Sequence, residues 1–259
     1  MPEGDTLHRA ALRVGAAVSG RELVAFAAPR LARPMPAPGH EIGAVEARGK
    51  HLLVHFGDGY VLLTHLRMTG AWSVRARTAT PPRGRALITV QDAVAVCTRA
   101  PIVELLDEPA VRRHPALRAL GPDLTVSGVD LDAAVDRLGR LVVRGTMLGD
   151  ALLDQRPACG IGNVIMQETC FLERLDPRTP IEHVDVPTRR ALYATAAQLL
   201  QHNVHTTMRT SVPDAPAGSL FVYDRARRPC RMCGAAIEVG RPGKDARPTW
   251  WCPSCQELR

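Results

Sequence analysis

Cys230-Arg231-Met232-Cys233 and, after 18 further residues, Cys252-Pro253-Ser254-Cys255 decide how this chain ends. Each C-x-x-C pair puts two sulfurs on one tight turn, and four thiolates suit a tetrahedral metal ion with no open position. The expectation is one structural Zn²⁺ held by Cys230, Cys233, Cys252 and Cys255. Redox disulfides of this spacing usually sit in a thioredoxin-like βαβ context, which the flanking sequence lacks. Cys97, Cys159 and Cys170 are scattered, and an odd total of seven cysteines argues against a disulfide framework. Between the pairs, residues 241–251 read as a hairpin with Arg247 near its tip. A metal-pinned hairpin carrying an arginine is a rigid way to reach a phosphate, although it also fits a small structural knob.

Upstream lies Leu152-Leu153-Asp154-Gln155-Arg156-Pro157-Ala158-Cys159-Gly160-Ile161-Gly162-Asn163. Helical patterns flank it, over about 130–140, 146–155, 163–174 and 187–203. The spacing predicts a helix ending near Gln155, a turn with two glycines, and a second helix capped by Asn163. Gly160 and Gly162 beside a helix N-terminus form a ready anion site, or simply an ordinary helical hairpin. Residues 204–220 read as a loop.

The first half has another rhythm. Leu7, Ala10, Ala11, Val14 and Val18 predict a helix over 5–18, capped by Asp5 or Thr6 and stopped at Gly20. Leu52, Val54 and Phe56 alternate, Gly57-Asp58-Gly59 turns, and Tyr60, Leu62 and Thr64 alternate back. A second hairpin pairs 86–90 with 93–98, and 107–130 reads as a mixed connector. The chain is therefore read as α+β with two domains. Residues 1–120 form an N-terminal β-sandwich with flanking helices. A C-terminal part follows, helical over 121–220 and closed by the four-cysteine ribbon of 221–259.

Composition narrows the function classes. The 259 residues are 46% hydrophobic, enough to bury real cores and to exclude disorder. No apolar run approaches the roughly 18–20 residues a bilayer crossing needs, and charged residues interrupt any leader-like start, so the expected compartment is the cytoplasm. The net charge of +7 and pI near 9.4 suit a polyanionic partner. Lysine occurs only at Lys50 and Lys244, and residues 221–259 hold eight basic side chains against four acidic ones. Aromatics are only 4%, which disfavours a groove that stacks single-stranded bases.

The chain begins Met1-Pro2-Glu3-Gly4-Asp5. Methionine before proline is commonly removed, which exposes a prolyl secondary amine. An α-amino group titrates at roughly 7.7–8.0, so a usable fraction is a free nucleophile at neutral pH. Attack of a secondary amine on a sugar C1′ yields an iminium, already a cation and an electron sink. Glu3 beside it could move protons. Taken alone, Pro2 is also simply a common second residue.

Five separated stretches, in order, resemble the formamidopyrimidine-DNA glycosylase/endonuclease VIII family over nearly the whole chain, most of all its actinobacterial endonuclease VIII-like members. They are Pro2-Glu3-Gly4, Arg48-Gly49-Lys50-His51-Leu52-Leu53, His65-Leu66-Arg67-Met68-Thr69-Gly70, the 152–163 segment, and the ribbon ending Cys255-Gln256. The resemblance implies a bifunctional DNA glycosylase/AP lyase of base excision repair, working as a monomer on double-stranded damaged DNA and associated with the bacterial nucleoid through that DNA. It implies Pro2 as the Schiff-base nucleophile and Glu3 as general acid/base. Lys50 would hold a phosphate near the lesion and assist elimination. Arg67 and Met68 would engage the DNA, Met68 as an apolar wedge where the damaged base leaves the stack. Asn163 and Gly162 would hold flanking phosphates together with Arg247, which is also linked to δ-elimination. By residue type alone Lys50 also fits a strand-end surface charge and Met68 a core methionine. The Arg99–Glu104 stretch lacks the aromatic of the 8-oxoguanine branch, which leans the substrate toward oxidised pyrimidines. Two alternatives stand beside this reading: a lyase-dominant enzyme on abasic or single-stranded DNA, and a non-catalytic zinc-ribbon DNA-binding protein.

Overall fold

The computed structural model describes residues 2–32 and 34–259; the expected removal of Met1 concerns a residue outside them. The chain forms two compact units, Met1–Ala119 and Leu120–Arg259.

In the first unit, α1 (Gly4–Val18) buries Leu7, Ala10, Ala11, Val14 and Val18, a stripe spaced by threes and fours. Its N-cap is Glu3, neither Asp5 nor Thr6. The extended Glu3 backbone turns its carbonyl oxygen to the N–H groups of Thr6 and Leu7, at 3.0 and 3.1 Å, so helical geometry begins earlier than the polar side chains suggest. Gly20, with φ of 71°, carries the chain away after the helix.

Two four-stranded antiparallel sheets follow. One orders β2 (Ile42–Arg48), β3 (His51–Phe56), β4 (Tyr60–His65) and β8 (Ile102–Asp107). The other orders β1 (Ala25–Ala27), β6 (Ala86–Thr89), β7 (Ala93–Thr98) and β5 (Ala71–Ala76). Both expected hairpins are present as β3–β4 and β6–β7. Leu52, Val54 and Leu62 of one sheet share a core with Ile88, Ala95 and Cys97 of the other and with Leu7 and Val14 of α1. Trp72 donates its indole N–H to the Thr64 hydroxyl at 3.0 Å, tying β5 to β4 within that core. Leu53 points the other way and packs with Val61 and Val111. Val111 lies on α2 (Glu108–Arg113), which is followed by α3 (Pro115–Ala119). The sequence reads this stretch only as a mixed connector. Asp107 caps α2 by accepting from the Ala110 N–H at 2.6 Å, and Pro109 stands in the first turn, where its missing N–H costs nothing.

The second unit holds α4 (Leu131–Leu141), α5 (Leu148–Leu153), α6 (Asn163–Leu172) and α7 (Val186–Val204). Residues Asn163 through Phe171 are all buried, so α6 is a central helix with almost no solvent-exposed face. Helix α5 is shorter than the expected 146–155, because Asp154 leaves the helix to accept from the Arg156 N–H at 3.0 Å. The ribbon hairpin is β9 (Glu238–Gly240) against β10 (Thr249–Trp251). Its strands therefore start before residue 241, and Arg247 sits at the foot of the loop beside β10, not near the tip. No helix among the described residues is long and apolar enough to cross a membrane.

Candidate active site and metal centre

In the first unit, Pro2 is half-buried and immediately precedes Glu3, which is 0% exposed at the head of α1. Strands β2 and β3 close on the pair Arg48 and His51, so Gly49-Lys50 is a two-residue turn, with Gly49 at φ of 57°. Pairing of His51 with His65 puts that turn at the same end of the sheet as the 66–70 turn. The latter closes through a Gly70 N–H to Leu66 carbonyl bond of 2.9 Å. A Cβ at position 70 would lie 2.7 Å from that same oxygen, so only glycine fits. Arg67 adopts φ of 48°, and its N–H donates to His65 Nδ1 at 3.1 Å. Met68, at the crest, is 67% exposed and so is not a core residue.

The rings of His51 and His65 meet edge to face, 4.8 Å apart at 75°. Burial, aided by nearby positive charge from Arg67 and Lys50, pushes each imidazole down to about 4. Both rings are neutral at physiological pH.

In the second unit, Gln155 stitches the turn before α6. Its Nε2 donates to the carbonyls of Leu153 (2.7 Å) and Ile161 (3.1 Å), while its Oε1 accepts from the Gly160 N–H (3.1 Å). Gly160 has φ of 107°, which a side chain would strain. The N-cap of α6 is Gly162, with extended backbone. Asn163 is thus the first helical residue and not the cap, a correction to the sequence expectation. Its side chain has another partner: Nδ2 donates to the Pro248 carbonyl at 2.9 Å. Gln167, one turn on, donates to the same oxygen at 3.1 Å and accepts from the Trp250 N–H at 2.8 Å. Asp150 of α5 accepts from the Lys244 N–H at 2.9 Å. The ribbon loop is therefore fastened to two helices on either side of Arg247. Arg247 itself pairs with Asp245, at 2.7 Å from Nη2.

The four Sγ atoms of Cys230, Cys233, Cys252 and Cys255 lie within 4.8 Å of one another. Two of the separations are 3.9 Å (Cys230 to Cys255) and 3.5 Å (Cys233 to Cys252). A tetrahedron of thiolates about 2.3 Å from one ion has edges of about 3.8 Å, so the cluster fits one four-coordinate metal ion. Gln256 braces it: Oε1 accepts from the Cys252 N–H and Nε2 donates to the Leu175 carbonyl, both at 2.8 Å.

The structure thus brings Lys50 and Met68 to one end of one sheet, and Asn163 and Gly162 against the segment that carries Arg247. These two groups belong to different units. Sequence reasoning missed Asp150, Gln167 and the His51–His65 contact. Gln155 and Gln256 appeared only as letters in matching stretches, without a physical role.

Comparison with known proteins agrees with this construction. The formamidopyrimidine-DNA glycosylase N-terminal domain model matches residues 1–101, and the formamidopyrimidine-DNA glycosylase H2TH domain model matches residues 120–213. "Probable endonuclease 8 2" of Streptomyces coelicolor is 38% identical, the alignment covering 99% of this chain and 94% of that protein. "DNA-(apurinic or apyrimidinic site) lyase Nei2" of Mycolicibacterium smegmatis is 36% identical, covering 99% of each. The crystal structure of MutM (Fpg) from Thermus thermophilus superposes with a TM-score of 0.79 at 26% identity, over 100% of both chains. MutM in complex with carbocyclic 8-oxo-G containing DNA shares the fold, with a TM-score of 0.81 at 20% identity, over 99% of this chain and 100% of that one. This chain belongs to the formamidopyrimidine-DNA glycosylase/endonuclease VIII family.

Proposed function

We propose that this protein is a bifunctional DNA glycosylase/AP lyase of base excision repair. It removes oxidised bases, pyrimidines above all, from double-stranded DNA and cleaves abasic sites by β,δ-elimination. The observation that carries the reading is the pairing of a half-buried Pro2 with a wholly buried Glu3 at the head of α1. Family membership and the relatives' names as endonuclease 8 and as an abasic-site lyase support it.

Once Met1 is removed, the Pro2 nitrogen uses its lone pair to bond C1′ of the damaged nucleotide, the glycosidic electron pair leaves with the base, and the proton lost from the Pro2 nitrogen neutralises the departing base. Glu3 supplies the proton for ring opening, which leaves an iminium between Pro2 and C1′. That cation acidifies C2′–H. Loss of this proton expels the 3′ phosphate, and loss of the C4′ proton from the resulting conjugated iminium expels the 5′ phosphate. Lys50 neutralises a phosphate beside the lesion, and Arg67 and Met68 occupy the duplex where the base has left. Asn163, with the Gly162 turn, and Arg247 hold the flanking phosphates. The four cysteines hold one Zn²⁺, which when bound supplies folding energy to the ribbon. The protein acts as a monomer in the bacterial cytoplasm, on the nucleoid.

Borohydride trapping tests the reading. Reduction in the presence of abasic duplex should yield a covalent adduct that mass spectrometry locates on Pro2, and Pro2→Gly should reduce it strongly. An adduct on another amine, or none with any lesion, overturns the mechanism. Comparing thymine-glycol, 8-oxoguanine and abasic duplexes separates base excision from a lyase-dominant activity.

A further inference from the structure

We propose that His51 and His65 form a positioning brace that holds the Lys50 turn and the Met68 turn in one fixed spacing for engaging damaged DNA. The inference rests on the proposed function for what the two turns touch, but the brace itself is a property of the protein without DNA.

The geometry carries it. His51 and His65 are direct partners on neighbouring strands, and their rings touch edge to face at 4.8 Å. The His65 ring also bonds the backbone of the turn it adjoins. His65 Nδ1 accepts from the Arg67 N–H at 3.1 Å. His51, the first residue of β3, directly follows the Gly49-Lys50 turn, and its buried ring is set by the contact with His65. Arg67 is a non-glycine residue at φ of 48°, a conformation that needs local support. The His65 acceptor supplies that support in the manner of an Asx turn, with an imidazole in place of a carboxamide.

Charge explains why imidazoles serve here. Lys50 and Arg67 both bring positive charge near the pair, and a further cation there would oppose both. Protonated His65 would also lose the Nδ1 lone pair that accepts from Arg67. The low proton affinity of both rings keeps that acceptor in place at every pH a cell meets.

His51 and His65 act through the two turns they join, so they are positioning residues. The role is separable from simple packing. Leucine at position 65 keeps bulk but loses the acceptor. Asparagine loses bulk but places Oδ1 where Nδ1 stood.

Two measurements on the full chain test the brace. The first, without DNA, is hydrogen exchange at the Arg67 amide by NMR. That amide should be protected in the parent and in His65→Asn, and exposed in His65→Leu. The second is the preference for a duplex carrying tetrahydrofuran, an abasic analogue, over the undamaged duplex. His65→Leu should lose about tenfold of that preference, the worth of one backbone hydrogen bond, with undamaged-duplex affinity unchanged. His65→Asn should recover most of it. An unprotected Arg67 amide in the parent, or equal protection in His65→Leu, overturns the brace. Protection lost without any change in preference overturns its role in DNA engagement. A parent that does not prefer the tetrahydrofuran duplex overturns the proposed function instead, and the amide exchange then decides the brace alone.

Discussion

Asn163 gives its side-chain N–H to the Pro248 carbonyl at 2.9 Å, so the residue next to Arg247 is fastened to the first turn of α6. That bond ties Asn163 to the chain neighbour of Arg247, and the proposed function places both Asn163 and Arg247 on the flanking phosphates. Arg247 is held by its neighbours' backbone as much as by its own rotamer. A rigid mount matters because a guanidinium that must first be ordered spends binding energy on its own entropy.

The Asn163→Ala variant should therefore weaken DNA binding by more than one lost phosphate contact. Gln167 still donates to Pro248, which limits the loss of folding stability to about 1 kcal/mol. The Asn163→Ala, Gln167→Ala double variant leaves that carbonyl without either partner and should cost more than the sum of the two changes. Urea unfolding and salt-dependent binding of the four proteins check this. Strict additivity in both measurements would show that the two side chains do not share a task.

On the proposed function, Asp245 would compete with DNA for Arg247. The pair is exposed on both sides, and such pairs contribute roughly 0–1 kcal/mol. Asp245→Asn should leave the melting temperature nearly unchanged and tighten duplex binding by about two- to fivefold at low salt. Its salt dependence should steepen, since Arg247 is then free to displace a counterion. Weaker binding in this variant would mean that Asp245 orients Arg247 instead of restraining it.

The readable parts of the sequence were those whose partners lie nearby or whose chemistry sets the spacing. Two C-x-x-C pairs declare a four-thiolate site because each pair must form one turn. Alternation around Gly57-Asp58-Gly59 declares a hairpin for the same local reason. Helix α2 escaped notice because it buries only Val111, which shows no period, and Pro109 reads as a breaker until its place in the first turn is known. Asn163 reads as a cap because a cap is the local use of asparagine, whereas its actual partner is 85 residues away. His51 and His65 belong together only once the β3–β4 register is fixed, and a slip by one residue would part them.

The outer face of the first sheet carries a pH-dependent link. His55 stands between Glu46, 3.0 Å from Nε2, and Glu108, 2.8 Å from Nδ1. The bond to Glu46 is the main reason the His55 imidazole is raised above 6.5, and the bond to His55 is the main reason Glu46 is lowered to about 2. The raised histidine stabilises the fold fully below 6.5, and this contribution fades as pH climbs through its folded value. The lowered carboxylate stabilises fully above 4.5 and fades as pH falls toward 2. The link is therefore strongest between about pH 4.5 and 6.5. His55→Gln should narrow its stability gap to the parent as pH rises from 6 to 9. Parallel stability curves over that range, from urea unfolding, would contradict the link.

Metal removal should act on DNA binding through the ribbon. Thiolate–metal bonds form only when the two knuckles face each other, so their energy is folding energy for the segment they close. Around them the supporting core is small: Phe171, Phe221, Val222 and Ile237 with Cys230 and Cys252. A strong chelator should release one Zn²⁺ per chain and loosen residues 229–257. The Pro248 carbonyl would then leave Asn163, and Arg247 would lose its mount. The first unit has its own core and should keep its sheets. Far-ultraviolet circular dichroism should thus change little, while affinity for an abasic duplex falls by about tenfold or more, in line with one or two charge-assisted contacts. Cys252→Ser should match the chelated protein, because Cys252 is wholly buried and its N–H is already held by Gln256. Full affinity in the stripped protein would separate the metal from DNA engagement, and a stoichiometry other than one would contradict the single four-thiolate site.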